Sequence, residues 1–264
     1  MKDTISWEFY TTRINKKDRF LTRYYHFLRC RKAITILDSL MKNHVPVNGL
    51  DIGCSYGWYS NILISRGVQS VDALDLAVYR ESVITDPAIT FYNEDFLEKT
   101  FDKKYDIILA FEVYEHIPAD DRPAFLEKLS LLLNPGGVLV FSGPNSVSLL
   151  YGCAFIASAL KNVLSGKKEI DWHYRIPFFH YNRVLDSHDL AMVTWETNGV
   201  VPLYPHSIER ILGTRIIQAI ADTDTRIAPV LKGLGANYVC IVRKRETDQR
   251  MNCPAFPGSD GGAG

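Results

Sequence analysis

Glu112, Glu115 and His116 stand at spacing i, i+3, i+4 in the run Phe111-Glu112-Val113-Tyr114-Glu115-His116-Ile117-Pro118. On one helical turn those three side chains share a face. Two carboxylates beside an imidazole can move a proton, and they also suit a divalent ion such as Mg²⁺, Mn²⁺ or Zn²⁺. His173 lies in a later aromatic run, where a neutral imidazole can serve as a base or as a further ligand. A second group is formed by Asp51, Asp75 and Asp95, each following an apolar run. A carboxylate at the end of a strand can accept from vicinal hydroxyls, as Asp75 can, or from an amino group, as Asp95 can. Phe96 beside Asp95 offers a backbone N–H and a ring. Between Asp51 and the next helical pattern come Gly53, Ser55 and Gly57. Gly53 permits a sharp turn and leaves room for a ligand against the backbone. The helix that starts at Gly57 presents orphan N–H groups that favour an anion such as a carboxylate.

These residues need a scaffold, and the pattern supplies one. Residues 47–145 alternate in βαβαβ fashion. Strands are expected at Gly49–Ile52, Ser70–Leu76, Ile89–Tyr92, Tyr105–Phe111 and Val138–Phe141, with helices at 57–66 and 121–133 and a stop at Asn134-Pro135-Gly136-Gly137. The fourth strand is nearly all apolar, as one buried on both faces should be. Such alternation implies a parallel sheet covered on both sides, with its ligand beyond the carboxyl ends of the strands. Further on, Ser187–Asn198 reads as a helix capped by Ser187 and ended by Gly199, 207–235 as helix or loop, and Val200–Leu203 and Tyr238–Arg243 as two more strands.

The flanks differ in character. Residues 1–46 are aromatic and basic with roughly helical spacing, ending near Asn43. They read as a helical cap whose aromatics either pack on the sheet or cover the substrate. Ser146–Leu160 carries no charge and is too short to span a bilayer. It reads as a buried helix, or as one opening onto a greasy substrate or a membrane surface, with Lys161, Lys167 and Lys168 following. The segment 146–186 is thus a candidate substrate lid, and residues 247–264, polar and rich in glycine, a flexible tail.

Composition narrows the function. The chain has 264 residues, 47% of them apolar, with 30 basic and 30 acidic side chains. That suffices for a large core, and the neutral balance argues against general nucleic-acid affinity. Five scattered cysteines without a Cys-x-x-Cys pair suggest neither a zinc site nor a disulfide framework. No basic-then-apolar leader opens the sequence, which reads as cytoplasmic.

The segments Leu50–Gly57, Ala73-Leu74-Asp75, Asn93-Glu94-Asp95-Phe96, Phe111–Pro118 and Leu133–Gly137 resemble, in order, the motifs of class I S-adenosylmethionine-dependent methyltransferases. Ser55 departs from the pattern, since many members carry glycine there. The resemblance implies a Rossmann-like α/β fold of seven strands, six parallel and the last antiparallel, in a domain spanning 47–246. It implies S-adenosylmethionine as methyl donor, with Asp51, Gly53, Ser55, Gly57, Asp75, Asp95, Phe96, Phe111 and Glu112 around it. Glu-x-x-Glu-His resembles quinone-biosynthesis O-methyltransferases, and also small-RNA 2′-O-methyltransferases in which such residues plus a later histidine hold a metal. The expected activity is methyl transfer to a hydroxyl of a small or lipid-linked acceptor, with His116 as base or base-positioner supported by Glu112 and Glu115. A metal bound by Glu112, Glu115, His116 and His173, an RNA acceptor, or a non-catalytic cofactor-binding domain are the alternatives.

Overall fold

The computed structural model describes residues 6, 8, 10, 20–42, 45–78, 84–152, 176–186, 189–201 and 208–245. His173, Ser187, most of the greasy 146–164 segment and the tail lie outside them. The described chain builds helix α1 (Phe20–Met41), strand β1 (Asn48–Ile52), helix α2 (Trp58–Ser65), strands β2 (Ser70–Leu74), β3 (Ile89–Tyr92) and β4 (Tyr105–Phe111), then a 3-10 turn at Tyr114–His116. Helix α3 (Arg122–Leu132), strand β5 (Leu133–Pro144), helix α4 (Phe178–Leu185), strand β6 (Leu190–Asn198), helix α5 (Ile208–Ile227) and strand β7 (Asn237–Lys244) follow. One seven-stranded sheet results, in the order β3-β2-β1-β4-β5-β7-β6. The pairs among β1 to β5 are parallel, and β7 runs antiparallel to both β5 and β6.

The period-2 alternation of β4 divides the core. Ile108 and Ala110 join Leu50, Ile52, Leu139 and Phe141 on one face, under Phe125, Leu126 and Leu129 of α3 and Tyr181 and Leu185 of α4. Ile107, Leu109 and Phe111 face the other way, with Ile34 and Leu37 of α1 and Ile62 and Leu63 of α2. The first turns of α1 leave the sheet and pack Tyr24, Tyr25 and Phe27 against Ile217 and Ala221 of α5. Where they are described, the N-terminal aromatics are therefore core.

Three expectations need correcting. Leu190–Asn198 is a strand, not the second part of a helix, and the helix of this region is Phe178–Leu185. β-branched Val193, Thr194 and Thr197 with Trp195 suit a pleated edge, and β6 keeps a long antiparallel register with β7. Val200 and Val201 belong to no strand, because their N–H groups turn instead to the carboxylate of Asp224 at 2.6 and 2.9 Å. Helix α3 ends at Leu132, within a residue of its expected end, but the Pro-Gly-Gly stretch expected as a stop is absorbed into an irregular start of β5 where the register to β4 shifts.

α1 is tied to the far side of the sheet by two amides. Asn198 Nδ2 donates to the Leu28 carbonyl at 3.0 Å, and Asn237 Nδ2 to that of Tyr25 at 3.1 Å. Arg29 follows Leu28 directly, so these ties also fix where its guanidinium can reach.

Candidate functional site

The three acids come to the carboxyl ends of three adjacent strands, β1, β2 and β3, next to the point between β1 and β4 where the strand order reverses. Asp51 ends inside β1, 1% exposed, and accepts a 2.6 Å hydrogen bond from Ser60 Oγ of α2. Burial pushes its carboxyl up to about 7, and the nearby charge of Asp75 acts in the same sense. Asp75 follows β2. One of its oxygens accepts from the Ser55 N–H at 2.8 Å, the other from the Ala77 N–H at 2.9 Å. Asp95 follows β3 and accepts from the Leu97 N–H at 2.7 Å.

The turn between β1 and α2 is built on left-handed backbone at alternate residues. Gly53, Ser55 and Gly57 have φ of 68°, 51° and 81°. The N–H groups of Gly53 and Cys54 both donate to the Leu74 carbonyl, which ties the turn to β2. A Cβ on Gly53 would lie 2.6 Å from Val113 Cγ2, and one on Gly57 2.1 Å from Ile84 Cγ1. Both glycines are thus required twice over, by φ and by space. Gly57→Ala is expected to lower the thermal midpoint by roughly 5 °C or more, for a loss of about 2 kcal/mol; a midpoint within a degree of wild type would contradict this.

The Glu112–His116 run does not form the single helical turn expected from its spacing. Glu112 lies outside the 3-10 turn with φ 56°, a backbone state that costs a non-glycine residue about 1–2 kcal/mol. The strain is held by neighbours. Its N–H donates to the Ser142 carbonyl, Ser142 Oγ donates to Oε1, both at 3.1 Å, and Arg29 of α1 pairs with Oε2 at 2.8 Å. Glu115 points inward. Its Oε2 is buried and has no hydrogen-bond partner among the described residues. Burial first, and the Glu112 charge second, push its carboxyl up to about 8. His116 ends the 3-10 turn and is exposed, while Glu112 lies outside that turn. Among the described residues no group of three or more His, Cys, Asp or Glu side chains could hold a metal. His173, the fourth residue of that reading, lies outside them.

Phe111 closes β4 with its ring 4.5 Å from that of Tyr59. The Phe96 ring is committed to the core, edge-on to Phe125 at 5.1 Å, so what Phe96 can offer a ligand is backbone.

Five residues at this end of the sheet carried no role in the sequence. Arg29 and Ser142 hold Glu112. Tyr114, 1% exposed, brings its Oη within 3.2 Å of His180 Nε2 on α4, and the Arg122 guanidinium lies 5.0 Å over the Tyr114 ring. The contacts of Arg29, Ser142 and His180 join residues far apart in the chain, so no local spacing could signal them.

The comparisons with known proteins agree with this architecture. A family model described as a methyltransferase domain matches residues 23–199. Magnesium protoporphyrin IX methyltransferase from Synechocystis PCC 6803, solved with bound S-adenosylhomocysteine, is 13% identical and superposes with a TM-score of 0.56 over 87% of this chain and 89% of that one. The N-methyltransferase NodS from Bradyrhizobium japonicum WM9 is 15% identical, with a TM-score of 0.51 over 82% of this chain and 96% of that one. The O-methyltransferase segment of StiE is 16% identical, with a TM-score of 0.52 over 92% and 83%. At such identities the likeness is one of fold. The sequence has no match among curated proteins. With the family model covering most of its length and the strand order of the fold complete, the chain belongs to the class I S-adenosylmethionine-dependent methyltransferases.

Proposed function

We propose that the chain methylates a hydroxyl of a small or lipid-linked acceptor, with Glu115 as general base. The observation that carries this reading is the buried, unpartnered Oε2 of Glu115, whose carboxyl is raised to about 8. A base with an affinity for protons near the working pH is the kind that accepts a hydroxyl proton well. The greasy stretch after Pro144, whose first residues Val147 and Leu149 are exposed, favours an apolar portion in the acceptor.

The residues at the strand ends fit S-adenosylmethionine. The glycine turn holds left-handed backbone at Gly53, Ser55 and Gly57 directly against the Asp75 carboxyl, which accepts from the Ser55 N–H. Asp75 is set to accept from the ribose hydroxyls, Asp95 and the Phe96 N–H to meet the adenine edge, and the Gly53–Gly57 turn with the start of α2 to face the carboxylate of the amino-acid end. Phe111 and Glu112 close the side toward the acceptor. When bound, that donor supplies a sulfonium-activated methyl group. The chain's own task is to hold the acceptor oxygen in line and take its proton on Glu115 Oε2. In this reading the proton goes to the buried Glu115 and not to the exposed His116.

Two expected results follow from the donor site. Asp75→Ala removes a charged acceptor from two hydroxyls and frees the Ser55 N–H. The dissociation constant for S-adenosylhomocysteine, read by titration calorimetry, should rise by on the order of 10–100-fold, and an unchanged value would remove Asp75 from the site. Asp51 is raised from its ordinary 3.8 to about 7, so in the folded chain it holds a proton that the unfolded chain has released. Its contribution to stability therefore declines as pH rises from 3.8 to about 7. A donor bearing a sulfonium and an ammonium favours the carboxylate and so expels that proton. Calorimetry at pH 6.5 in buffers of different ionisation enthalpy should show proton release that Asp51→Asn abolishes.

The acceptor atom is tested directly. With ¹³C-methyl-labelled donor and matched alcohol, amine and deoxy compounds, the label should appear as an ether. Its appearance on the amine alone would favour N-methylation.

A further inference from the structure

His180 and Arg183 are three residues apart on α4 and so share a face of that helix. Arg122, at the start of α3, reaches the same place from the opposite side. Its Nε donates to the Ile117 carbonyl at 3.0 Å and its guanidinium lies over the Tyr114 ring, whose hydroxyl contacts His180 Nε2. No carboxylate pairs with Arg122 or Arg183 among the described residues, whereas Arg29, Arg31, Arg66 and Arg245 each have one. Arg183 is exposed and Arg122 half-buried, so the group opens to solvent. The electrostatics agree with this picture: burial lowers the basicity of His180 first, and the two arginines lower it further. Tyr114 holds its proton, since burial raises its phenol, and it can donate to Nε2. The imidazole proton then sits on Nδ1, available to a ligand.

Three cationic or donor groups on two packed elements, unneutralised and beside the 3-10 turn that carries Glu115, form a receptor for an oxyanion. We propose that Arg122, His180 and Arg183 bind a phosphate or carboxylate on the methyl acceptor. This deepens the reading given above and rests on it, in that it makes the acceptor an anionic hydroxy compound. Arg122 acts electrostatically on both Glu115 and His180, so the anion and the accepting oxygen belong to one compact molecule or headgroup. Planar guanidinium groups suit such oxyanions because they bind through two parallel hydrogen bonds.

Binding is measurable without turnover. The imidazole signal of His180 in the full chain, assigned by its loss in His180→Gln, is titrated with pH in the absence and presence of inorganic phosphate, acetate or hexyl phosphate. Phosphate should raise the His180 midpoint by about one unit, as an opposite charge in contact does. Arg122→Gln combined with Arg183→Gln should abolish that shift while the thermal midpoint stays near wild type. An equal effect of acetate assigns a carboxylate, and a larger effect of hexyl phosphate at equal concentration assigns a lipid-type phosphate. A midpoint that no anion moves, or a shift that persists in the double variant, overturns the proposal. Because the readout needs no methyl transfer, its failure leaves the role of Glu115 standing, and failure of Glu115 as base leaves the anion site standing.

Discussion

Glu115→Gln is expected to lower kcat/KM by roughly 10²–10⁴-fold, the usual worth of a positioned base. The shape of the pH profile should change with it. A base works only when deprotonated, and burial places this carboxyl at about 8, so wild-type activity rises with pH through that value. Glutamine is nearly isosteric and uncharged, so the variant should keep its thermal midpoint and lose the rising limb. Glu112→Gln supplies the companion result. It removes the negative charge that helps hold the proton on Glu115 and leaves the Arg29 charge, which acts the other way, so the limb should move to lower pH. Parallel profiles for wild type and Glu115→Gln would show that transfer needs no proton acceptor at this position.

Asp224→Ala should give the largest loss of stability. The carboxylate is fully buried and accepts from three backbone N–H groups, those of Gly199 at 2.9 Å, Val200 at 2.6 Å and Val201 at 2.9 Å. Alanine leaves all three donors unpaired where water has little access. At roughly 1–3 kcal/mol for each stranded donor, with some relaxation of the turn, the net cost is about 3–5 kcal/mol. For a chain of this length the thermal midpoint should fall by roughly 10–15 °C. Asp224→Asn keeps one acceptor oxygen but turns an amide donor toward a donor, so it should fall in between. A loss below about 1 kcal/mol for alanine would mean that the turn finds other acceptors. The damage should also reach the site. The 199–201 turn sits beside Asn198, which holds the Leu28 carbonyl of α1, and the next residue, Arg29, holds Glu112.

How much of this was legible in the sequence depends on how local the determinant is. Strand β4 stands where its apolar run puts it, because a buried parallel strand writes nearly its whole length as hydrophobic residues. The glycine turn was legible for a similar reason: the constraint at Gly53 and Gly57 is a property of the residue's own backbone. β6 was misread because it is an edge strand. Val193 and Thr194 are exposed, its apolar signal is thin, and Gly199 behind it looks like a helix stop. The Glu112–His116 run failed differently. Its spacing fits one helical turn, but Arg29 and Ser142, both remote in sequence, hold Glu112 in the left-handed region. Position along the chain cannot reveal which carboxylate is neutralised by an arginine elsewhere and which is left waiting. That difference separates Glu112 from Glu115.

The lacing of α1 by Asn198 and Asn237 has a bearing on engineering. A chimera that imports the first helix of a relative would meet two amide hydrogens placed for the carbonyls of residues 25 and 28, and a strained glutamate awaiting a guanidinium from residue 29. A helix of any sequence presents those two carbonyls, so grafts should succeed when arginine is kept at position 29 or Glu112 is exchanged along with the helix.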